Sequence, residues 1–94
     1  MIFSDEQRFE GHPDAVARVL EGEMVMLDLN TGMYFGMNEV GARVWQLLSE
    51  GMTLSEIIAT LLGEFAVEES TLRDDVSTLL RELIERQLLR PVEP

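Results

Sequence analysis

The side chains of this chain that could do chemistry are mainly carboxylates, and many of them lie close together. Asp74 is next to Asp75, and Glu82 precedes Glu85 by three residues. General acid–base catalysis needs two such groups in a cleft, with pKa values that their surroundings push apart. These pairs fall on a regular amphipathic helical pattern, where carboxylates normally face solvent. We therefore predict that they do not form a catalytic site.

The other residue types that commonly act in catalysis or bind metals are nearly missing. The 94 residues include one histidine, His12, and no cysteine. Disulfides, thiol nucleophiles and thiolate metal sites are therefore excluded. His12 lies in a Gly-His-Pro stretch near the N-terminus, where we expect a solvated loop histidine. No glycine-rich segment has phosphate-binding spacing. The sequence predicts no enzyme activity, no cofactor and no bound metal.

The formal net charge of −11 restricts the possible partners. Nucleic-acid binding depends on Lys and Arg side chains that neutralise phosphates, and anionic membranes repel an acidic protein in the same way. A basic peptide or protein would be attracted. Alternatively, the acidity only keeps the protein soluble. The chain has no apolar run of about 18 residues and no secretory signal pattern. We predict a cytoplasmic protein without a nucleic-acid or membrane partner.

Length and apolar content predict a single globular domain. An apolar fraction of 46% in 94 residues is enough for one hydrophobic core. The first residues show weak periodicity, although Ile2, Phe3 and Phe9 leave open that they pack somewhere or form an extra strand. The predicted organisation is a flexible lead-in at 1–14, one domain at 15–90 and a tail at 91–94.

Short strands and turns follow the lead-in. Residues 16–20 alternate moderately between apolar and polar types, and a turn is expected at 21–23. Residues 24–29 alternate clearly, which predicts a strand. The Asn-Thr-Gly sequence at 30–32 is a hairpin signal, because Asn and Gly adopt positive φ at low cost. Residues 33–37 then form the next strand.

The strand at 33–37 has two different faces. Met33, Phe35 and Met37 share one face, and Tyr34 and Gly36 share the other. Tyr34 therefore implies either a sheet covered on both sides or a contact surface. Four of the six methionines lie in this hairpin, where they form either an adaptable peptide surface or ordinary core.

Three helical patterns complete the chain. Asn38 is an expected N-cap, and Gly51 is expected to end this first helix, which carries Trp45 as a predicted core residue. Thr53 and Glu56 form a capping box for a second helix that runs to about Phe65. The third helix opens at about residue 70. Strands followed by helices predict an α+β, winged-helix-like fold, with a three-stranded antiparallel sheet followed by three helices.

The third helix has an apolar stripe wide enough to touch both the sheet and another helix. At about 100° per residue, Asp75, Leu79 and Glu82 fall on one flank of that stripe. An unpaired strand at 33–37 would offer backbone N–H and C=O groups to a peptide, and the helix beside it would form a pocket wall. The strand edge must stay clear of the chain's own termini for a peptide to bind there. The stripe comprises Leu72, Val76, Leu79, Leu80, Leu83 and Ile84.

A DNA-binding regulator is the alternative, because a short turn with a glycine joins the first two helices as in a helix-turn-helix motif. The third helix carries Arg73, Arg81 and Arg86, but its acidic residues outnumber them. A helix with this charge balance is poorly suited to the major groove. A general protein-interaction module is a further alternative.

The ordered set of residues resembles the PqqD-like family, whose members are called RiPP recognition elements. They serve pyrroloquinoline quinone biosynthesis and other ribosomal-peptide pathways, including those of lasso peptides. The resemblance covers about residues 16–90. It departs at Met37, where the family often has Leu, a change that nearly conserves volume. The matching residues are Leu27-Asp28, Thr31-Gly32, Tyr34-Phe35, Asn38, Gly41-Ala42, Val44-Trp45, Gly51, Thr53, Glu56-Ile57, Asp75-Val76, Leu79-Leu80, Leu83 and Leu88-Leu89.

The resemblance implies that the leader segment of a precursor peptide binds as an added strand beside the strand at 33–37, in a groove with the third helix. It implies no chemistry by the chain itself, which would deliver the precursor to a radical-SAM protein, a leader peptidase or a cyclase. We expect a monomer or weak dimer. The implied peptide-binding residues are Met33, Tyr34, Phe35, Gly36, Met37, Asp75, Val76, Leu79 and Glu82.

Overall fold

The computed structural model describes residues 3–21 and 23–92. Ile2, the turn residue Gly22 and the last two residues of the predicted tail lie outside the described part, so their predicted roles stay predictions. The elements within the described residues are β1 (Arg8–Gly11), β2 (Ala15–Leu20), β3 (Glu23–Asp28), β4 (Tyr34–Met37), α1 (Glu39–Ser49), α2 (Leu54–Glu64), α3 (Glu69–Glu85) and β5 (Leu89–Val92).

The main sheet is antiparallel, with the strand order β2-β3-β4. Met26 in the central strand lies opposite Ala17 in β2 and Phe35 in β4. The predicted hairpin turn joins β3 to β4, and Gly32 has the positive φ of 72° that this turn requires. The Gly32 N–H donates to the Asp28 C=O at 2.7 Å. The predicted three-stranded sheet and the α+β class are confirmed.

The predicted helix starts are also confirmed. The Asn38 side chain accepts the Gly41 N–H at 2.8 Å, which makes Asn38 the N-cap of α1. At the start of α2, Thr53 accepts the Glu56 N–H, and the Glu56 carboxylate accepts the Thr53 N–H at 2.8 Å. Two hydrogen bonds to the Glu56 carboxylate, first that from the Thr53 N–H and then that from the Thr53 hydroxyl at 3.0 Å, lower the pKa of Glu56. Gly51, at a φ of 84°, follows the end of α1.

The hydrophobic core lies between the inner face of the main sheet and the three helices. Met24, Met26 and Met37 point into it from β3 and β4, so they are ordinary core residues. Met33 is 62% exposed and lies just before β4. Only this hairpin methionine therefore fits the adaptable surface considered from the sequence. The helices contribute Val44, Leu47, Leu48, Leu54, Ile57, Ile58, Leu61, Leu72, Val76, Leu80 and Leu83.

The flexible lead-in predicted for residues 1–14 is wrong for β1. This strand pairs antiparallel with β5, which includes Pro91 and Val92 of the predicted tail. Phe9 is 2% exposed and belongs to the core, so the extra strand left open by the sequence is present. The sequence pattern was weak because β1 has four residues and its partner lies at the other end of the chain.

Trp45 also differs from its predicted place in the core. Its side chain is half-buried and packs against the outside of the core, next to β1. A Cβ atom at Gly11 would lie 3.0 Å from the Trp45 ring, so the glycine allows this close approach. Trp45 thus packs beside β1, which lies within the predicted lead-in.

Candidate functional site

The edge of β4 that faces away from β3 has no strand partner among the described residues. The termini pair with each other as β1 and β5, so they do not cover it. The Asp28 N–H donates to the Met33 C=O at 2.9 Å, which marks a hydrogen-bonded pair just before the strand. Bonded and non-bonded pairs alternate along an antiparallel ladder. Tyr34 and Gly36 therefore direct their backbone N–H and C=O groups away from β3, to the open edge.

A groove of about 450 Å³ runs along this edge, between β4, the start of α1 and α3. Its lining is largely apolar, and Asp75 is the only charged residue among the described residues that form it. Such a groove offers apolar contact together with one negative charge. The lining residues are Phe35, Gly36, Met37, Asn38, Val40, Gly41, Val44, Val67, Thr71, Leu72, Asp75, Val76 and Leu79.

Gly41 sets how closely α1 approaches β4 at the groove. A Cβ atom at this position would lie 3.3 Å from the Met37 Cβ atom and 3.5 Å from the Leu79 Cδ2 atom. A Cβ atom here would be tight against the Met37 Cβ atom, whereas its contact with the Leu79 side chain would be an ordinary van der Waals one. Gly41 therefore acts as a spacer that lets α1 lie close to β4 at the groove.

Helix α3 and its C-cap lie near β4 at two positions. Leu79 lies beside Met37, and Arg86, which caps the helix, lies over the ring of Phe35 at 4.8 Å from its centroid. Leu79 and Arg86 are about 10 Å apart along the helix axis. Met37 and Phe35 are about 7 Å apart along the strand. The helix thus runs beside β4 in the opposite direction.

A second, smaller opening of about 180 Å³ continues the edge beyond Phe35. Phe35 borders both openings, and the guanidinium of Arg86 rests on its ring. Tyr34 is 68% exposed here, so its face of the sheet is uncovered. The open edge therefore has an acidic end at Asp75 and a basic end at Arg86. The opening is lined by Asp28, Thr31, Met33, Tyr34, Phe35, Arg86 and Leu88.

The structure brings most of the predicted site residues to one edge. Six of them line the groove, namely Phe35, Gly36, Met37, Asp75, Val76 and Leu79. Met33 and Tyr34 line the second opening. Glu82 is exposed and lines neither opening.

Two residues of this edge, Gly41 and Arg86, were not among the predicted peptide-binding residues. Gly41 gave only a weak signal, a glycine in the first turn of a helix. The position of Arg86 was predictable from the sequence. It follows Asp75 by eleven residues and therefore lies on the same flank of the helix. The rule that placed Asp75, Leu79 and Glu82 on one flank also includes Arg86.

Other kinds of site are not found in the part of the chain that the structure describes. His12 accepts the Asp14 N–H at 3.1 Å through Nδ1, which is a local turn contact. No cluster of three or more His, Asp or Glu residues that could hold a metal ion occurs at 3–21 or 23–92. No helix of these residues has the length and apolar character needed to cross a membrane.

An open edge strand beside a helix-lined groove defines a class of small α+β domains suited to strand addition. The chain belongs to the PqqD family, since the profile described as Coenzyme PQQ synthesis protein D matches residues 23–89. It is 34% identical to a protein solved as TbiB1 in complex with the TbiA(beta) leader peptide, with a TM-score of 0.80, covering 90% of this chain and 99% of the other.

A second solved structure, described as lasso peptide synthetase B1 complexed with the leader peptide, is also similar. Its chain is 26% identical, with a TM-score of 0.82, and the match covers 89% of this chain and 99% of that one. Among curated proteins, none matches this chain. Both similar structures thus extend over almost all of this domain.

Proposed function

We propose that this protein is a non-catalytic adaptor for a ribosomally made precursor peptide. It binds the leader segment as an added strand at β4 and presents the precursor to a separate modifying enzyme. The observation that carries this proposal is the open β4 edge beside a 450 Å³ groove. It occurs in a PqqD-family chain whose two similar structures are described as leader-peptide complexes.

The proposed contacts divide between backbone and side chains. The outward N–H and C=O groups of Tyr34 and Gly36 form the new ladder, which gives affinity without sequence preference. Side chains of the peptide enter the groove formed with α3, which gives selectivity. The proposed peptide-binding residues are Met33, Tyr34, Phe35, Gly36, Met37, Asp75, Val76, Leu79 and Glu82.

Holding a leader segment raises the effective concentration of its precursor at the enzyme that modifies it. The proposed partner is therefore a radical-SAM protein, a leader peptidase or a cyclase, with the adaptor as a cytoplasmic monomer or weak dimer. The adaptor needs no chemistry of its own for this role.

DNA binding is the less favoured alternative. Arg73 on α3 is held by Glu69 and Asp5, each at 3.0 Å, and these hydrogen bonds raise its pKa. Its charge is thus already paired with carboxylates of the same chain. The net charge of −11 also opposes phosphate binding.

The test is calorimetric titration with the leader segment of a precursor peptide, to be sought as a short reading frame near this chain's gene. We expect Leu79→Arg to weaken binding at least about tenfold, because it places a charge in the apolar wall of the groove. Leu62→Arg is the matched control, since Leu62 is also half-buried but lines neither opening. If circular dichroism shows that both variants are folded and both bind the leader as tightly as the unmodified protein does, the leader does not bind in this groove.

A further inference from the structure

Strand addition leaves one problem open, which is the register of the bound peptide. Backbone ladders look alike after a slip of two residues, because side chains alternate with a period of two. The β4 edge offers only a four-residue strand, so its ladder gives weak register control. Side chains along the edge must therefore distinguish the correct register from a slipped one.

The charges along the edge are arranged to do this. Asp75 lines the groove beyond the Met37 end, and Arg86 lines the opening at the Tyr34 end. They lie on the same flank of α3, about 16 Å apart along its axis. This distance corresponds to about five residues of an extended chain. Since every second side chain faces the helix, two peptide positions roughly four or six residues apart meet these charges.

Four arginines form no ion pair among the described residues, namely Arg8, Arg18, Arg81 and Arg86, and of these only Arg86 lines an opening beside β4. Arg43, Arg73 and Arg90 form ion pairs with Glu64, Asp5 and Glu10, respectively. Among the described residues, Arg86 has no carboxylate within 4.0 Å, although Glu82 lies one helical turn before it and Asp28 shares its opening. One oxygen of Asp28 already accepts the Asn30 N–H at 2.9 Å. The guanidinium carbon instead lies over the Phe35 ring, 4.8 Å from its centroid, and Arg86 lines the second opening.

We propose that Arg86 fixes the register of the bound leader by pairing with an acidic side chain of the peptide, while Asp75 pairs with a basic one. This inference rests on the proposed function. The net charge of −11 attracts any basic peptide, so attraction alone does not select a register. Arg86 is a cation on an acidic protein, and it does favour one register. A slip of two residues would move the peptide carboxylate away from Arg86 and towards groups of the protein that repel it.

The experiment begins with a display library of random peptides, long enough to cover the β4 edge and both openings, selected on the immobilised full chain. A consensus binder is then synthesised with Glu or Arg at each position in turn. On the unmodified protein, we expect one position to prefer Glu about threefold to tenfold, as for a partly exposed ion pair. A second position, roughly four or six residues away, should prefer Arg.

Protein variants then assign each preference to a residue. Arg86→Glu should reverse the preference at the first position alone, and Arg86→Gln should remove it. Asp75→Arg should reverse the preference at the second position. Arg90→Glu is the control, because it makes the same change in net charge at a residue that pairs with Glu10 in the other sheet. It should leave both preferences unchanged.

The possible failures are distinguishable. If the binder is displaced from the groove by Leu79→Arg but its positional preferences are the same on Arg86→Glu and Arg90→Glu, the register inference is wrong and the proposed function stands. If no selected peptide loses affinity on Leu79→Arg, both are wrong. Circular dichroism of each variant checks that the fold is retained.

Discussion

The two sheets of this protein use strand pairing for different purposes. The terminal strands β1 and β5 pair with each other, which joins the two ends of the chain, and they bury Phe9 and Leu89 in the core. The Gln7 side chain donates to the Val92 C=O at 2.9 Å, which adds a further bond between these ends. In the main sheet, β4 has an open edge that lies beside a groove. The terminal sheet thus holds the chain ends together, and the main sheet leaves the outward backbone groups of β4 available to another chain.

This difference places stability and recognition in separate regions. The terminal sheet fastens the ends of the chain, and the start of α2 bonds to the same segment through the Leu54 N–H and the Gln7 C=O at 2.9 Å. The β4 edge adds little to the core beyond Met37 and the half-buried Phe35. Substitutions in the first region should change the free energy of unfolding, and those in the second should change peptide affinity.

Phe9→Ala gives the largest expected effect. Phe9 is 2% exposed and packs edge-to-face on Phe3, with ring centroids 5.2 Å apart. Removing its ring should lower the free energy of unfolding by about 3–5 kcal/mol, as measured by urea denaturation. The fraction that stays folded should bind leader as before. A loss of affinity larger than the unfolded fraction explains would mean that the two regions are coupled.

Gly36→Pro should produce the largest loss of affinity without a comparable loss of stability. The Gly36 N–H points to the open edge, so proline removes no bond to β3, and edge strands tolerate it. A Cβ atom at this position has open space around it. We expect leader affinity to fall at least about tenfold, from the lost hydrogen bond and the obstructing ring.

Two controls separate the backbone effect from other causes. Gly36→Ala adds a side chain but keeps the N–H, so its affinity should be nearly unchanged. Ala17→Pro makes the corresponding change at the other edge of the sheet. Ala17 lies opposite Met26, whose backbone groups bond to β4, so the Ala17 N–H also points outwards. Equal calorimetric affinities for Gly36→Pro and Ala17→Pro would rule out strand addition at β4.

Tyr34→Ala tests a smaller contribution at the same edge. Tyr34 and Val19 are both 68% exposed, and they lie on the opposite edge strands β4 and β2. We expect Tyr34→Ala to weaken leader binding about threefold to tenfold, because an exposed aromatic side chain can cover part of an added strand. Val19→Ala should leave the dissociation constant unchanged. The reverse result would assign the peptide to the β2 edge.

The parts of this molecule that sequence predicts best are those determined by local signals. The Asn38 cap, the Thr53–Glu56 box and the turn at Gly32 each depend on residues within three or four positions. The pairing of β1 with β5 depends on residues at opposite ends of the chain, as in Arg8 opposite Val92. No periodicity within either segment specifies such a partner, so the prediction of a flexible lead-in is wrong for β1.

The same distinction applies to the candidate site. Helical spacing correctly placed Asp75 and Leu79 on one flank, because the angle per residue is fixed within a helix. Glu82 shares that flank but lines neither opening, since spacing does not say how far the neighbouring strand extends. The role of Gly41 as a spacer required the positions of Met37 and Leu79, which belong to two other elements.

The smallest expected effect is a pH-dependent one at the start of α2, in the region assigned to stability. Hydrogen bonds from Thr53 lower the pKa of Glu56 from its ordinary value of 4.5. A group whose folded-state pKa is lowered stabilises the protein above its unfolded pKa, and this contribution is lost as the pH falls through the folded pKa. Gln at this position can still accept the Thr53 N–H but does not titrate.

We therefore expect the unmodified protein to be more stable than Glu56→Gln at pH 7, and this difference in free energy of unfolding to shrink as the pH falls below about 4.5. Comparing the two proteins by urea denaturation at each pH cancels the other carboxylates, such as Glu64, whose pKa its hydrogen bond with Arg43 also lowers. A difference that does not vary with pH would mean that the hydrogen bond from the Thr53 N–H to Glu56 stabilises the protein equally whether or not Glu56 is charged. Leader affinity at pH 7 should be equal for both proteins, because the capping box lines neither opening beside β4.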